Sequence, residues 1–353
     1  MNATPHLAAL LFSLLSVGIL LAEEPAPAEK SVDDLGQDDL QKLFGILRER
    51  HVQRADLGPD ELNRAAMQGL LERLGFGAEL LEQKADDAGS TAAPAFVAET
   101  IAPGIGYLRP AFDEAGLESA TEALGQFADE DLAHLILDLR IPGGGENFQP
   151  AADLAELLSP ARQPLFEIQH PEAEEVTRFE SESAAIWEGD LVLLVDASTG
   201  PLAEVVGAAL RAQPERHVLA IGEATSGRAV LYETTPVREG LALRFAVAEV
   251  LLPGGETLFR KGITPEVVVE LEPAVRDDLG ARFAEEGVAR WSAETPRERF
   301  SEAALVAGVN PEIDYAAANH GRKPPPAEKR DTVVQRAVDI VSARTFLEAN
   351  DPE

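Results

Sequence analysis

The chain has 353 residues, enough for one or two domains with a hydrophobic core, and its 45% apolar content excludes a disordered polymer. A formal net charge of -32 repels nucleic acid and anionic lipid, which excludes both as expected partners. No cysteine is present, so disulfides, thiolate metal sites and a cysteine nucleophile are excluded. The six histidines, His6, His51, His134, His170, His217 and His320, show no helical ligand spacing, so neither a metal nor another cofactor is expected.

Residues 1–22 read as a signal peptide. An apolar run over 7–21 ends at Ala22, before the acidic, Pro/Ala-rich stretch 23–30. The leading segment has His6 but no Lys or Arg. The alternative is an uncleaved anchor, but the run is short of the roughly 20 residues a bilayer span wants. The expectation is export, to the periplasm or the extracellular space, with no stable membrane insertion after cleavage.

Residues 31–80 predict two amphipathic helices. Leu40, Leu43, Phe44 and Leu47 follow the spacing of a buried helical face. A second helix enters at Pro59-Asp60, turns Leu62, Ala66, Leu70 and Leu74 inward and stops at Gly75. Residues 81–95 hold a low-complexity linker, 84–94, rich in Ala, Asp, Gly, Ser and Thr.

Residues 96–272 alternate short apolar strands with helices, the pattern of an α/β layered domain. Strands are predicted at 105–108, 135–139, 191–195 and 218–221, helices at 117–127, 148–158 and 201–211, and a β-ribbon over 229–250. Residues 273–353 form an acidic, helical C-terminal region, broken at Lys323-Pro324-Pro325-Pro326. Its last helix, 332–346, buries Val334, Val338 and Val341.

Four segments carry a resemblance. Leu137-Asp138-Leu139-Arg140 leads into Gly144-Gly145. Residues 192–210 run from strand through turn to helix. Gly222-Glu223-Ala224-Thr225-Ser226-Gly227 follows, and then Lys261-Gly262-Ile263-Thr264-Pro265-Glu266 with Val267–Val269. Each alone is weak. In register over some 170 residues, they resemble the C-terminal processing (tail-specific) serine peptidases. The resemblance implies a Clp-protease/crotonase-like α/β core with N-terminal and C-terminal helical extensions. It also implies acyl transfer by a serine that a neutral lysine activates, with a Gly-rich turn as oxyanion hole.

Aligned on Glu204, the nucleophile position of the family falls on Pro201, which has neither hydroxyl nor N–H. The lysine position is Arg228, whose guanidinium stays protonated and cannot act as general base. The assisting glutamine position is Tyr232. Three functional positions depart together, so the expected function is a non-catalytic binding or scaffolding homologue. Its partner would be a protein or peptide, including C-terminal tails held by the Arg228 cation, or a homo- or hetero-oligomer with relatives. The family's PDZ module is absent, since the 81–95 linker is too short for a domain.

A register shift would instead make Ser198 or Thr199 a nucleophile, with His217 as base. Against this, both hydroxyls read as N-caps of the helix at Pro201, and His217 as a surface residue at a strand edge. Ser226 is a weaker candidate. Gly144 and Gly145 match the oxyanion turn, or simply a strand-to-helix turn. A crotonase-like acyl-thioester enzyme is a third reading; export and the lack of a placed acidic base argue against it.

Overall fold

The computed structural model describes residues 35–82, 96–144, 147–171, 176–214, 216–272, 275–276, 282–283, 285–292 and 330–349. The expected signal peptide, the low-complexity part of the linker and the Pro-rich break at 323–326 lie outside them. No described helix is long and apolar enough to cross a membrane.

The chain divides into two compact units, residues 1–73 and 74–353. In the first, helix α1 (Gln37–Arg50) and helix α2 (Pro59–Leu74) form where the apolar periodicity places them. Their apolar faces are less covered than expected. Among the described residues α1 has none that is buried, and in α2 only Leu62 is. Leu40, Leu43, Leu47 and Leu70 stay 38–49% exposed. Periodicity marks a face that can be buried without fixing what covers it.

The second unit holds two sheets. One is mainly parallel, in the order β11-β8-β7-β4-β3-β2. Its strands are β2 (Val97–Ala102), β3 (Ile105–Arg109), β4 (His134–Asp138), β7 (Asp190–Val195), β8 (Val218–Gly222) and β11 (Val267–Val268). β3, β4, β7, β8 and β11 run parallel, and β2 closes one edge antiparallel. The near-continuous apolar runs of β3, β4 and β7 suit strands buried on both faces.

Alternate residues point to opposite cores. Leu135, Leu137, Leu191 and Leu193 join the helices α3 (Glu114–Asp129), α4 (Gln149–Glu156) and α5 (Pro201–Arg211). Ile136, Val192 and Leu194 meet Val333, Val334, Ala337 and Val341 of the last helix, α6 (Thr332–Ala349). Of that helix's three expected core valines, Val338 is only partly buried.

The second sheet is antiparallel, in the order β1-β10-β5-β6, with β9 on the other side of β10. The predicted ribbon appears as β9 (Val230–Arg238) and β10 (Leu241–Leu251). Three strands of this sheet were not anticipated: β1 (Ala78–Glu82), β5 (Pro164–Gln169) and β6 (Val176–Glu180). β1 spans the expected boundary between helical region and linker, so that boundary falls inside a strand. The sheet joins the rest of the unit through Phe166, Ile168 and Val250, which share a core with α4 and α5.

Candidate active-site cleft

β4, β7 and β8 are adjacent and parallel, so the turns that follow them emerge at one end of the sheet, the usual ligand end of such sheets. The turn after β4 is Pro142-Gly143-Gly144. The turn after β7 runs from Asp196 to Gly200 and opens α5. The loop after β8 runs from Glu223 to Ala229 and opens β9. Together with Phe76 and Glu79 they line a cleft of about 370 Å³. Gly144, Ser198, Thr199, Pro201, Arg228 and Tyr232 all border it, whereas Gly145 lies outside the described residues. Three separate segments thus deliver the sequence-selected positions to one place.

Behind the cleft, the frame is held by buried hydrogen bonds and ion pairs. Glu204 is buried, and its carboxylate accepts from the Thr225 hydroxyl, from Gly227 N at 2.7 Å and from Ala229 N at 3.1 Å. This holds the loop that carries Arg228. Burial pushes the Glu204 carboxyl up, against the hydrogen bonds that favour its charge. Thr225 Oγ1 also accepts from Ile263 N at 2.8 Å, which ties the Gly-Ile-Thr segment to the same knot.

Beneath the glycine turn lies a buried ion network. Arg140 forks onto Asp138 at 2.7 Å and onto Asp331 at 2.7 Å, and Arg109 reaches Asp138 at 3.2 Å. The Tyr107 hydroxyl donates to Asp138 at 2.6 Å. Burial alone would raise the Asp138 carboxyl, but Arg140 and Arg109 outweigh it and hold Asp138 well below the usual carboxylate range. Asp331 also caps α6, accepting from Val333 N and Val334 N at 2.9 and 3.0 Å.

The groups facing the cleft offer no serine-lysine pair at the aligned positions. Pro201 is the first residue of α5, where its fixed φ suits the helix. Its ring packs on the glycine turn: a Cβ added to Gly144 would stand 2.5 Å from Pro201 Cδ. A Cβ on Gly200 would stand 1.6 Å from the carbonyl oxygen of Gly143, so the two turns interlock through their glycines. Arg228 is exposed, with its guanidinium 5.8 Å from the Phe76 ring centroid. Tyr232 is bound elsewhere. Its hydroxyl donates to Phe76 O at 2.9 Å and its ring lies 3.9 Å beneath the Arg244 guanidinium, which pairs with Glu79 at 2.9 Å.

The expected capping roles of Ser198 and Thr199 are corrected. Gly200 is the N-cap of α5, and no side chain caps it. The Ser198 hydroxyl donates to Asp196 Oδ1 at 2.6 Å, and Thr199 Oγ1 accepts from Asp196 N at 3.0 Å. Both close the turn on Asp196 and leave the helix end alone. His217 is also far from Ser198. It precedes β8, beside the start of β7, while Ser198 follows the end of β7. The six residues of that strand separate them by about 20 Å, so His217 is no base for Ser198. Ser226 donates to Ala197 O at 3.0 Å. Asp196 was not anticipated; its signal was an acidic residue directly after a buried strand.

Among the described residues, no group of His, Cys, Asp and Glu could hold a metal ion. The sequence profile of peptidase family S41 matches residues 104–269. A carboxyl-terminal-processing protease of Synechocystis is 27% identical over 167 residues, covering 47% of this chain and 38% of its own length. A carboxy-terminal processing protease of Bacillus subtilis is 28% identical over 161 residues, covering 45% and 34%. The chain therefore spans under two fifths of these curated relatives. A crystal structure of a candidate peptidase from Parabacteroides merdae superposes with a TM-score of 0.50 at 15% identity, covering 68% of this chain and 84% of that one, a likeness of fold. Residues 104–269, holding the glycine turn, the turn at Pro201 and the Arg228 loop, are a peptidase family S41 domain.

Proposed function

We propose that this chain is a non-catalytic member of the S41 group, one that binds protein or peptide in the cleft without cutting it. One observation carries the reading. The nucleophile position is a proline ring seated on the glycine turn, and the only cation in the cleft without a carboxylate partner among the described residues is Arg228. A guanidinium there cannot take a proton from a hydroxyl, but it suits a carboxylate, such as the end of a peptide tail. The apolar run at 7–21 fits work outside the cytoplasm, alone or as an oligomer with relatives.

A second reading is an active serine-type endopeptidase with a rearranged nucleophile. Ser198 borders the cleft, and its hydroxyl already donates to a carboxylate. Asp196 is also paired with Arg276 at 3.3 Å. The deciding experiment is labelling by a fluorophosphonate probe alongside turnover of an unfolded protein. The native chain should show neither, and Pro201→Ser with Arg228→Lys should gain labelling. Native turnover that disappears in Ser198→Ala would overturn the non-catalytic reading. Arg228→Ala should weaken binding of a carboxylate-ended peptide, and unchanged binding would remove the cation from the account.

A further inference from the structure

The cleft presents a second exposed charge besides Arg228. Glu79, on β1, lines the same space of about 370 Å³, and 47% of its side chain is exposed. One carboxylate oxygen, Oε1, accepts from Arg244 at 2.9 Å. The other, Oε2, has no hydrogen-bond donor among the described residues.

Glu79 and Arg228 are brought to one place by a closed ring of contacts. The Arg228 guanidinium lies 5.8 Å from the Phe76 ring centroid. Phe76 O accepts from the Tyr232 hydroxyl at 2.9 Å, the Tyr232 ring lies 3.9 Å from the Arg244 guanidinium, and Arg244 pairs with Glu79. Glu79 follows Phe76 by three residues, a stretch that reaches at most about 11 Å. The strand register sets this up: Glu79 stands opposite Arg244 across β1 and β10, and Tyr232 is diagonal to Arg244 across β10 and β9. The Tyr232 hydroxyl is raised by burial, and it also feels the opposed charges of Arg244, Glu79 and Arg228.

The cleft therefore offers one unpaired cation and one half-paired carboxylate. A space of this size suits the end of a short peptide. With a C-terminal carboxylate on Arg228, the preceding residues advance by about 3.3 Å each in extended form and pass Glu79 within the same cleft. A Lys or Arg there finds an acceptor in Oε2. An Asp or Glu there meets a like charge. The whole chain acts in the same direction, since a net charge of -32 draws cationic segments and repels acidic ones. We infer that the cleft selects basic tails, with the terminal carboxylate on Arg228 and a Lys or Arg among the last few residues on Glu79. This rests on the cleft binding a peptide end, and it specifies which ends are taken.

The test is fluorescence anisotropy of the full chain with four labelled synthetic peptides of equal length. Two carry Lys before the last residue and two carry Glu; each is made with a free and with an amidated C-terminus. The free Lys peptide should bind about tenfold tighter than the free Glu peptide, and its lead should narrow as salt rises. Glu79→Gln should cut that lead several-fold. Glu118→Gln removes an equal charge from an exposed position on α3, outside the cleft, and should leave the lead unchanged. Equal binding of the free Lys and free Glu peptides would overturn the inference while leaving the Arg228 contact standing. Equal effects of the two variants would overturn the assignment to Glu79, leaving only the general acidic field. Amidation without effect would instead remove the carboxylate contact on which the inference rests, and no binding by any peptide would overturn both.

Discussion

The cleft has two layers with different characters. Facing it are Pro201, Arg228 and Tyr232, none of which makes a bond that a serine peptidase needs. Directly behind it are Glu204, Asp138 and Arg140, whose charges are buried and bonded. The difference teaches that frame and chemistry are held by separate residues. The frame persists through hydrogen bonds that do not involve the facing side chains, so those can change without collapse.

That contrast can be broken most directly from the back layer. Asp331→Ala leaves Arg140 with half its pairing and α6 without its cap, and should lower stability by about 3–5 kcal/mol in urea unfolding. Acid should act on the same network. Asp138 is depressed in the folded state, so its contribution is complete above its unfolded value of about 4 and is lost as pH falls from there. Unfolding curves from pH 7 to pH 3 should show that loss. A flat profile would mean that Asp138 is not held as the geometry indicates.

Glu204→Ala comes next. It leaves the Thr225 hydroxyl and the amides of Gly227 and Ala229 without their acceptor, and should lower stability by about 3 kcal/mol. Glu204 itself is shifted upward, so its effect on stability runs opposite to that of Asp138, favouring the fold as pH falls towards its unfolded range of about 4. The smallest effects belong to the front layer. Arg228→Lys loses only a stacked guanidinium on Phe76, and should change stability by less than about 1 kcal/mol. A larger loss would show that front and back layers are one unit after all.

The legibility of the sequence divides along related lines. β4, β7 and α5 could be read from apolar runs because their burial is nearly complete and leaves a clear pattern. β5 and β6 could not, because short strands in a half-exposed sheet carry mixed residues such as Glu167, Thr177 and Arg178. In the site, Glu204 and the glycine turn were legible through the resemblance to the family's motifs, and Pro201, Arg228 and Tyr232 were singled out by that resemblance. The bonds of Ser198, Thr199 and Asp196 were not, since several hydroxyls in one turn can cap a helix or close the turn, and sequence does not choose.

The clamp from Arg140 to Asp331 joins residues 191 positions apart. During synthesis the guanidinium is made long before its second carboxylate exists. A chain still growing can pair Arg140 with Asp138 but not with its second carboxylate, so the clamp closes only after residue 331 has been made. The same timing makes trimming consequential. A protease that removed residues 331 onward would strip a buried cation, two positions before the glycine turn, of its second carboxylate and would uncover the core that α6 shares with Ile136, Val192 and Leu194.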